Sequence, residues 1–317
     1  MKTLSLIVPC YNEEAIISES YRRMKAVVNA LPERWSAEII YINDGSTDAT
    51  RRILNEIAAV DGQVKVLHFS RNFGHQPAVS AGIHQCRSDF AVILDADLQD
   101  PPEVIPALID LQEHENANSV YCVRRLRMGE SRFKLVSAKL FYRTMNAMSE
   151  VRFPLDTGDF RLIDRKIMNE FNRLSERGKY IRGLISWVGF KQVPFFYERK
   201  SRFAGETKYP LGKMIAFASK ALLYFSKKPL KMAMSLGFIA VFLGFFLLIW
   251  FTLGKIYGFS RAESGWTSLI TTIIFFGGVQ LITVGVLGQY IGTLFDEIKA
   301  RPEYIVDERV NCEEEKN

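Results

Sequence analysis

Short apolar runs recur along the first part of the chain, at Thr3–Pro9, Glu38–Ile42, Val64–Phe69 and Phe90–Leu94. Runs of this length, bounded by Gly, Pro, Asn and Asp, are read as strands. Between them lie stretches with helical spacing: Glu13–Ala30, a second ending near Val60, and a short one over Pro77–Cys86. A β-α-β-α alternation repeating at roughly 25 residues predicts an α/β fold with a parallel, doubly wound sheet. Gly45 permits a tight turn after the second strand, and Ser46 or Thr47 is placed to cap the next helix. Further on, the pattern predicts a helix over Glu103–Glu115, a strand over Ser119–Val123 and a basic-faced helix over Arg132–Met148. An acidic turn at Asp156–Asp159 precedes a short strand; a helix over Lys179–Val188 and a strand over Lys191–Tyr197 follow.

The pattern then changes. Met232–Gly254 and Ser264–Phe295 contain no charged residue. About 20 apolar residues cross a bilayer core, so both runs are long enough to span, the second with tilt. The alternative is a pair of buried core helices. A loop as short as Lys255–Glu263 makes the spans, about 232–254 and 266–290, a hairpin with both ends on one side. Lys213, Lys220, Lys227, Lys228 and Lys231 precede the first span, and Lys299 and Arg301 follow the second. The positive-inside rule puts both termini in the cytoplasm of a multi-pass inner-membrane protein. Pro210–Ser226 alternates apolar residues with Lys213 and Lys220, as an interfacial helix does. The expected organisation is an α/β domain at 1–209, an interfacial juxtamembrane helix at 210–231, the hairpin at 232–295 and a cytoplasmic tail at 296–317 that frays from Asp307.

Composition narrows the classes. With 317 residues the chain holds one sizeable α/β domain and something more. Leu4–Val8 is too short for a signal peptide. Cys10, Cys86, Cys122 and Cys312 have neither metal spacing nor a paired framework, which suits a reducing cytoplasm. The net charge of +6 includes many lysines near the apolar runs, pointing to anionic lipid and phosphate ligands rather than nucleic acid. Neither G-x-G-x-x-G nor G-x-x-x-x-G-K-[ST] occurs, so nothing supports a dehydrogenase or a P-loop NTPase.

The chemistry concentrates after the strand Phe90–Leu94, in Asp95-Ala96-Asp97-Leu98-Gln99-Asp100-Pro101-Pro102. Ligands of open parallel α/β sheets bind at the carboxyl ends of strands. Two carboxylates one residue apart can hold a hard divalent cation whose shell substrate phosphates complete. The plain alternative is a solvated acidic turn leading into the next helix.

Five motifs in order, Pro9-x-Tyr11-Asn12-Glu13, Asn43-Asp44-Gly45-Ser46, Asp95-x-Asp97-x-Gln99, Gly158-Asp159-Phe160-Arg161 and Arg202-x-x-Gly205-x-x-Lys208, resemble family 2 glycosyltransferases of the GT-A fold. With two apolar C-terminal runs, the chain is similar to polyprenyl-phosphate glycosyltransferases, and its S-R-N-F-G, G-L-I-S-W-V-G and G-V-L-G-Q-Y-I-G stretches look like bactoprenol glucosyltransferases. Asn43 departs from the acid that many relatives carry there.

The resemblance implies a Rossmann-like GT-A domain and a nucleotide-sugar donor held by Pro9, Tyr11, Glu13, Asp44, Asp95, Ala96 and Arg124. It implies Mg²⁺ or Mn²⁺ on Asp97 and Gln99, and phosphates held by Arg202 and Lys208. For Asp44 ordinary turn chemistry is the alternative, and for Arg202 a lipid headgroup contact. Asp159 stands where inverting relatives place a base; orienting the substrates, or capping the turn after Gly158, are its other readings. The acceptor implied is undecaprenyl (polyprenyl) phosphate in the lipid bilayer, and the sugar glucose from UDP-glucose, with GlcNAc, mannose, galactose or aminoarabinose as alternatives. A homo-oligomer, a tetramer in many relatives, and a downstream flippase and lumen-side glycosyltransferase complete the expected partners. Gly288-x-x-x-Gly292 could pack closely within the hairpin, between subunits, or not at all. A processive polysaccharide synthase would carry Q-x-x-R-W, which Ile181–Trp187 does not match. A non-catalytic membrane scaffold would have no need of Asp95, Asp97, Asp159 and Arg202.

Overall fold

The computed structural model describes residues 1–124, 157–176, 178–198, 228–257 and 265–312. The helix expected over Arg132–Met148, the interfacial helix over Pro210–Ser226, and Arg202 and Lys208 lie outside the described residues. The chain divides into two compact units. One holds Met1–Arg143, Val151–Lys208 and everything from Arg301 onward; the other holds Thr144–Glu150 and Tyr209–Ala300.

The first unit is built on one eight-stranded sheet. Its strands are β1 (Lys2–Cys10), β2 (Trp35–Asn43), β3 (Val64–Phe69), β4 (Phe90–Ile93), β5 (Ser119–Arg124), β6 (Thr157–Asp164), β7 (Gln192–Tyr197) and β8 (Val306–Val310). The spatial order is β7-β5-β6-β4-β1-β2-β3-β8. β1 pairs in parallel with β2 and β4, β2 with β3, and β5 with β7. β6 runs antiparallel between β4 and β5, and β8 antiparallel along β3. The sheet is therefore largely parallel, as expected.

Both faces are covered, which is why the central strands read as unbroken apolar runs. Met24, Val27 and Val28 of α1 (Ile17–Ala30), Leu54 and Ile57 of α2 (Thr50–Val60), and Ile105 and Leu108 of α4 (Ile105–Glu115) share one core with Leu6, Val8, Ile39, Tyr41, Val92 and Leu94. α3 (His75–Gln85), α5 (Arg165–Arg173) and α6 (Ile181–Val188) cover the other face. α3 sits close to the sheet because Gly82 lacks a side chain: a Cβ there would lie 2.3 Å from Ile7 Cγ2.

Three sequence expectations change. The acidic turn expected before a short strand is, from Thr157 on, extended; Thr157–Asp164 is an eight-residue strand with Asp159 inside it, buried between two antiparallel neighbours. Ser46 and Thr47 do not cap α2. The Ser46 hydroxyl accepts the Asn12 amide at 2.9 Å, the Thr47 amide donates to Asn12 Oδ1 at 2.8 Å, and the helix begins later, at Thr50. The tail does not fray at Asp307. Alternating Val306 and Val310 with charged residues suits an edge strand, Arg51 bonds Asp307 and Glu308, and Asn311 Nδ2 donates to the Ala58 and Val64 carbonyls at 2.7 and 2.9 Å.

The second unit contains α7 (Lys228–Ile256) and α8 (Gly265–Ile298), which pack against each other. Among the described residues one stretch, Phe275–Ile298, is long and apolar enough to cross a membrane; Leu230–Phe246 is apolar but shorter. A two-span hairpin thus has two helices but one full-length apolar stretch. Among the described residues a Cβ on Gly288 or Gly292 would meet nothing within 4 Å, so these glycines serve no close approach between α7 and α8 there.

Candidate active site

Parallel pairing puts the carboxyl ends of β1, β2, β3 and β4 on one edge of the sheet, and antiparallel β6 delivers its amino end to the same edge. The register makes this specific. Ile93 pairs with Arg161, so two residues farther along β4 and two residues back along β6 bring Asp95 opposite Asp159. Arg124 and Tyr197, also paired, end β5 and β7 at this edge.

Asp159 is the best-held side chain in the site. Arg182 donates from Nε to Oδ1 at 2.7 Å and from Nη2 to Oδ2 at 3.3 Å. His75 Nε2 lies 3.0 Å from Oδ2, and Gln76 Nε2 donates to Oδ2 at 3.3 Å. Arg182 Nη1 also donates to the Thr157 carbonyl at 3.0 Å. Burial raises the Asp159 pKa, but the charge of Arg182, with the His75 bond and charge, outweighs it and holds the group well below the usual carboxylate range. His75 lies 3.8 Å from Asp95 as well. Burial disfavours its imidazolium, yet the bond to Asp159 and the charges of Asp95 and Asp159 together raise it to about 9. Asp95 is raised to about 6, chiefly by burial, with His75 opposing and Asp159, Asp97 and Asp100 reinforcing. A carboxylate with its acceptor sites filled and its pKa depressed is a poor proton acceptor. In this arrangement Asp159 is ionised and engaged on both oxygens by Arg182, His75 and Gln76.

His75 reaches this place through Asp44. That carboxylate accepts the Phe73 amide at 2.7 Å and the Gly74 amide at 2.9 Å, fixing the loop before α3. Asp44 is 3% exposed, so it braces this loop rather than presenting its oxygens to a nucleotide. Gly45 is required beside it, with φ of +64° and an added Cβ only 2.3 Å from the Arg71 carbonyl carbon. Asn43 has its own reason. Its Nδ2 faces His68 Nδ1 at 2.9 Å, and His68 Nε2 faces Asn55 Oδ1 at 2.8 Å. Burial, then the Arg51 charge, lowers His68 to about 4 and keeps it neutral, so it needs a donor at Nδ1 that an aspartate would lack.

The acidic turn alternates. Asp95, Asp97 and Gln99 are half-buried, while Ala96, Leu98 and Asp100 are buried. The Gln99 amide donates to Asp97 Oδ1 at 3.1 Å, and Leu98 takes φ of +55°. Behind the turn, the Tyr197 hydroxyl donates to Asp100 Oδ1, and Arg124 hydrogen-bonds Tyr197 close to Asp100. Arg124, expected on the donor, is engaged in supporting the turn. Among the described residues no group of three or more His, Cys, Asp or Glu is poised around a cation. Two carboxylates and an amide suit Mg²⁺ or Mn²⁺ only where substrate oxygens finish the shell. Pro9 is buried at the end of β1, Tyr11 is 44% exposed, and the Glu13 amide donates to Thr50 Oγ1 at 2.9 Å.

A match to the family model for Glycosyl transferase family 2 covers residues 5–171. The chain belongs to glycosyl transferase family 2. This family 2 chain is 44% identical to the uncharacterized glycosyltransferase YkcC of Bacillus subtilis, over 98% of this chain and 94% of that one. It is 38% identical to the prophage bactoprenol glucosyl transferase homolog of Escherichia coli, over 96% and 98%. Glucosyl-3-phosphoglycerate synthase from Mycobacterium tuberculosis, solved with Mn²⁺, UDP and glucosyl-3-phosphoglycerate, superposes with a TM-score of 0.46 at 22% identity over 70% of this chain and 78% of that one.

As a family 2 member the chain is a glycosyltransferase with a GT-A-like α/β fold, as its motifs imply. Sequence reasoning singled out Asp95, Asp159 and the acidic stretch through Asp100 but missed His75, Gln76, Arg182 and Tyr197. His75 follows the carboxyl end of β3, where the strand-end rule could have flagged it. Arg182 carries no such local signal; it comes from a helix that only the tertiary fold brings to Asp159.

Proposed function

We propose that this glycosyltransferase moves glucose from UDP-glucose to undecaprenyl phosphate at the cytoplasmic face of the inner membrane. The observation that carries the reading is the acidic Asp95–Gln99 turn set opposite the clamped Asp159 at the carboxyl edge of the sheet. The near full-length likeness to a bactoprenol glucosyl transferase homolog supports the sugar and the acceptor. An acceptor phosphate oxygen bonds to the anomeric carbon as its bond to the UDP oxygen breaks. The electron pair leaves with UDP, the centre inverts, and the product is a β-linked polyprenyl monophosphate sugar.

Each residue has a task. Pro9, Tyr11, Glu13, Asp95 and Ala96 shape the cleft for base, ribose and donor. Asp97 and Gln99 would hold Mg²⁺ or Mn²⁺, which supplies charge to the departing diphosphate. Arg202 and Lys208 would add positive charge for the phosphates. A phosphate monoester has a second pKa near ~6 and is mostly ionised at neutral pH. The acceptor therefore needs no strong base, which suits Asp159 as an anchor that fixes His75 and Arg182 beside the sugar.

A polyprenyl chain stays in the bilayer and offers only its phosphate head. Helices α7 and α8, as a hairpin with both ends cytoplasmic, would keep the site at that surface, and a homo-oligomer and a downstream flippase fit the same reading. The test uses purified full-length protein in detergent, undecaprenyl phosphate and a panel of labelled nucleotide sugars, scoring label that enters the organic phase. UDP-glucose-dependent transfer, lost with EDTA, is the expected outcome. Transfer from another donor would change the sugar; no transfer from any donor, with the fold intact, would overturn the reading.

A further inference from the structure

Asp159 is held from two helices: His75 and Gln76 open α3, and Arg182 lies in the first turn of α6. The clamp is only as exact as the spacing between them. At the site end, Gln76 Oε1 accepts the Ile181 amide at 2.9 Å. Away from the site a second tie comes from far along the chain. Glu303 Oε2 accepts the Ser80 hydroxyl of α3 at 2.8 Å and lies 3.6 Å from Lys179 Nζ, three residues before Arg182. Ser80 is inaccessible, and the Lys179 and Glu303 side chains are 5% and 7% exposed.

The neighbours of Glu303 hold it in place. The Tyr304 ring stacks on Phe69 with centroids 5.1 Å apart, its hydroxyl lies 2.9 Å from His84 Nδ1, and the Ile305 carbonyl accepts the Ser70 amide at 3.0 Å. Glu303, Tyr304, His84 and Lys179 line a cavity of about 450 Å³ beside α3. An ammonium and a carboxylate are costly to bury unless well paired, and apolar residues would fill the same space at lower cost. A buried pair at this junction therefore points to a positional task. Lys179, Arg182 and Glu303 all lie beyond residues 5–171, the extent of the family match.

We propose that Glu303 is a positioning residue that pins the start of α6 to α3 and so sets Arg182 and His75 on Asp159. The proposal rests on Asp159 belonging to the transfer site described above. A remote misplacement of about 1 Å can cost ~10²-fold in rate.

The experiment compares full-length wild type with Glu303→Ala and Glu303→Gln; the glutamine keeps an acceptor for Ser80 and folds if alanine does not. The expected result in the transfer assay is a fall in kcat of about tenfold to 100-fold for alanine, less for glutamine, with donor KM within about twofold. In an Arg182→Lys background Glu303→Ala should add under about twofold, because both changes loosen one clamp. Hydrogen exchange should speed by about tenfold at residues 75–82 and 180–186 and stay unchanged in β1 and β2. Multiplicative kinetic losses, an unchanged kcat, or exchange that rises uniformly or not at all would overturn the proposal. If wild type transfers no sugar, the transfer reading fails, while the exchange pattern still decides whether Glu303 pins the two helices.

Discussion

Neutralising Asp159 probes the site most directly. Asp159→Asn keeps the shape, removes the negative charge and turns one acceptor into a donor facing Arg182 or His75. His75, at about 9 in the folded protein, should fall towards its ordinary value of 6.5. That drop corresponds to about 3 kcal/mol of interaction. The His75 side chain is 41% exposed, so solvent screening reduces the sum to about 1–2 kcal/mol. Arg182, 27% exposed, would lose its buried partner; breaking such a pair costs about 3–5 kcal/mol when fully buried, and about 2–3 kcal/mol here. The chain has only four histidines, so ring-labelled His75 can be followed by NMR and assigned by replacing each in turn. His68 and His84 are both lowered to about 4, mainly by burial, and stay silent across the range that matters. The expected result is a His75 midpoint near 9 in wild type, a clear drop in Asp159→Asn, and kcat about 10²-fold lower. A wild-type midpoint at or below 6.5, or one that Asp159→Asn leaves in place, would refute the electrostatic account of the clamp.

Other outcomes follow from the same geometry. On the proposed role of Asp97 in holding the metal, Asp97→Ala should lower transfer about 10³-fold; near-wild-type turnover would remove Asp97 from that proposed site. Asn43→Asp should destabilise by about 1–3 kcal/mol, because His68 Nδ1 loses its donor, and should raise the His68 pKa above about 4; an unchanged melting temperature would count against that pairing. Asn311→Ala removes two bonds that hold the end of β8 and should cost about 1–2 kcal/mol in thermal unfolding, with faster exchange along β3. The stability profile against pH should have two limbs. The raised His75 contributes stability that is full below 6.5 and lost as pH rises through about 9, whereas the depressed Asp159 contributes stability present above its unfolded value of about 3.9 and lost as pH falls. Asp159→Asn should flatten both limbs in denaturant titrations; limbs that persist would assign them to other groups.

Strand and helix placement in residues 1–115 was legible because each strand is buried on both faces and each turn carries its own chemistry. Phe90–Leu94 followed by Asp95-Ala96-Asp97 announces both a core strand and a binding edge. Asp159 was legible as a site residue but not as part of a strand. Its neighbours Gly158 and Thr157 read as turn residues, and only the pairing of β6 between β4 and β5 makes the segment extended. Val306–Val310 was harder still. An edge strand with Asp307, Glu308 and Arg309 in it has the composition of a frayed tail, and the sheet edge of β3 that orders it lies more than two hundred residues earlier.

The two halves of the site have different origins in the chain. The proposed donor side comes from strand ends, where Pro9 and Asp95 sit at the carboxyl ends of β1 and β4 and short motifs survive as readable signals. The clamp on Asp159 comes from side chains on α3 and α6, which reach across the sheet edge by lengths no motif encodes. Arg182 reaches both Asp159 oxygens from the first turn of α6, so its contact depends on where that helix starts. The Gln76 bond to the Ile181 amide and the Glu303 bonds to Ser80 and Lys179 act on that one position from opposite ends. Residues 5–171 carry the six inner strands of the sheet and the acidic turn, yet the charge of Arg182, from beyond them, holds Asp159 ionised. A chain ending at residue 171 would lack both edge strands, β7 and β8, and with α6 the Arg182 arm of the clamp.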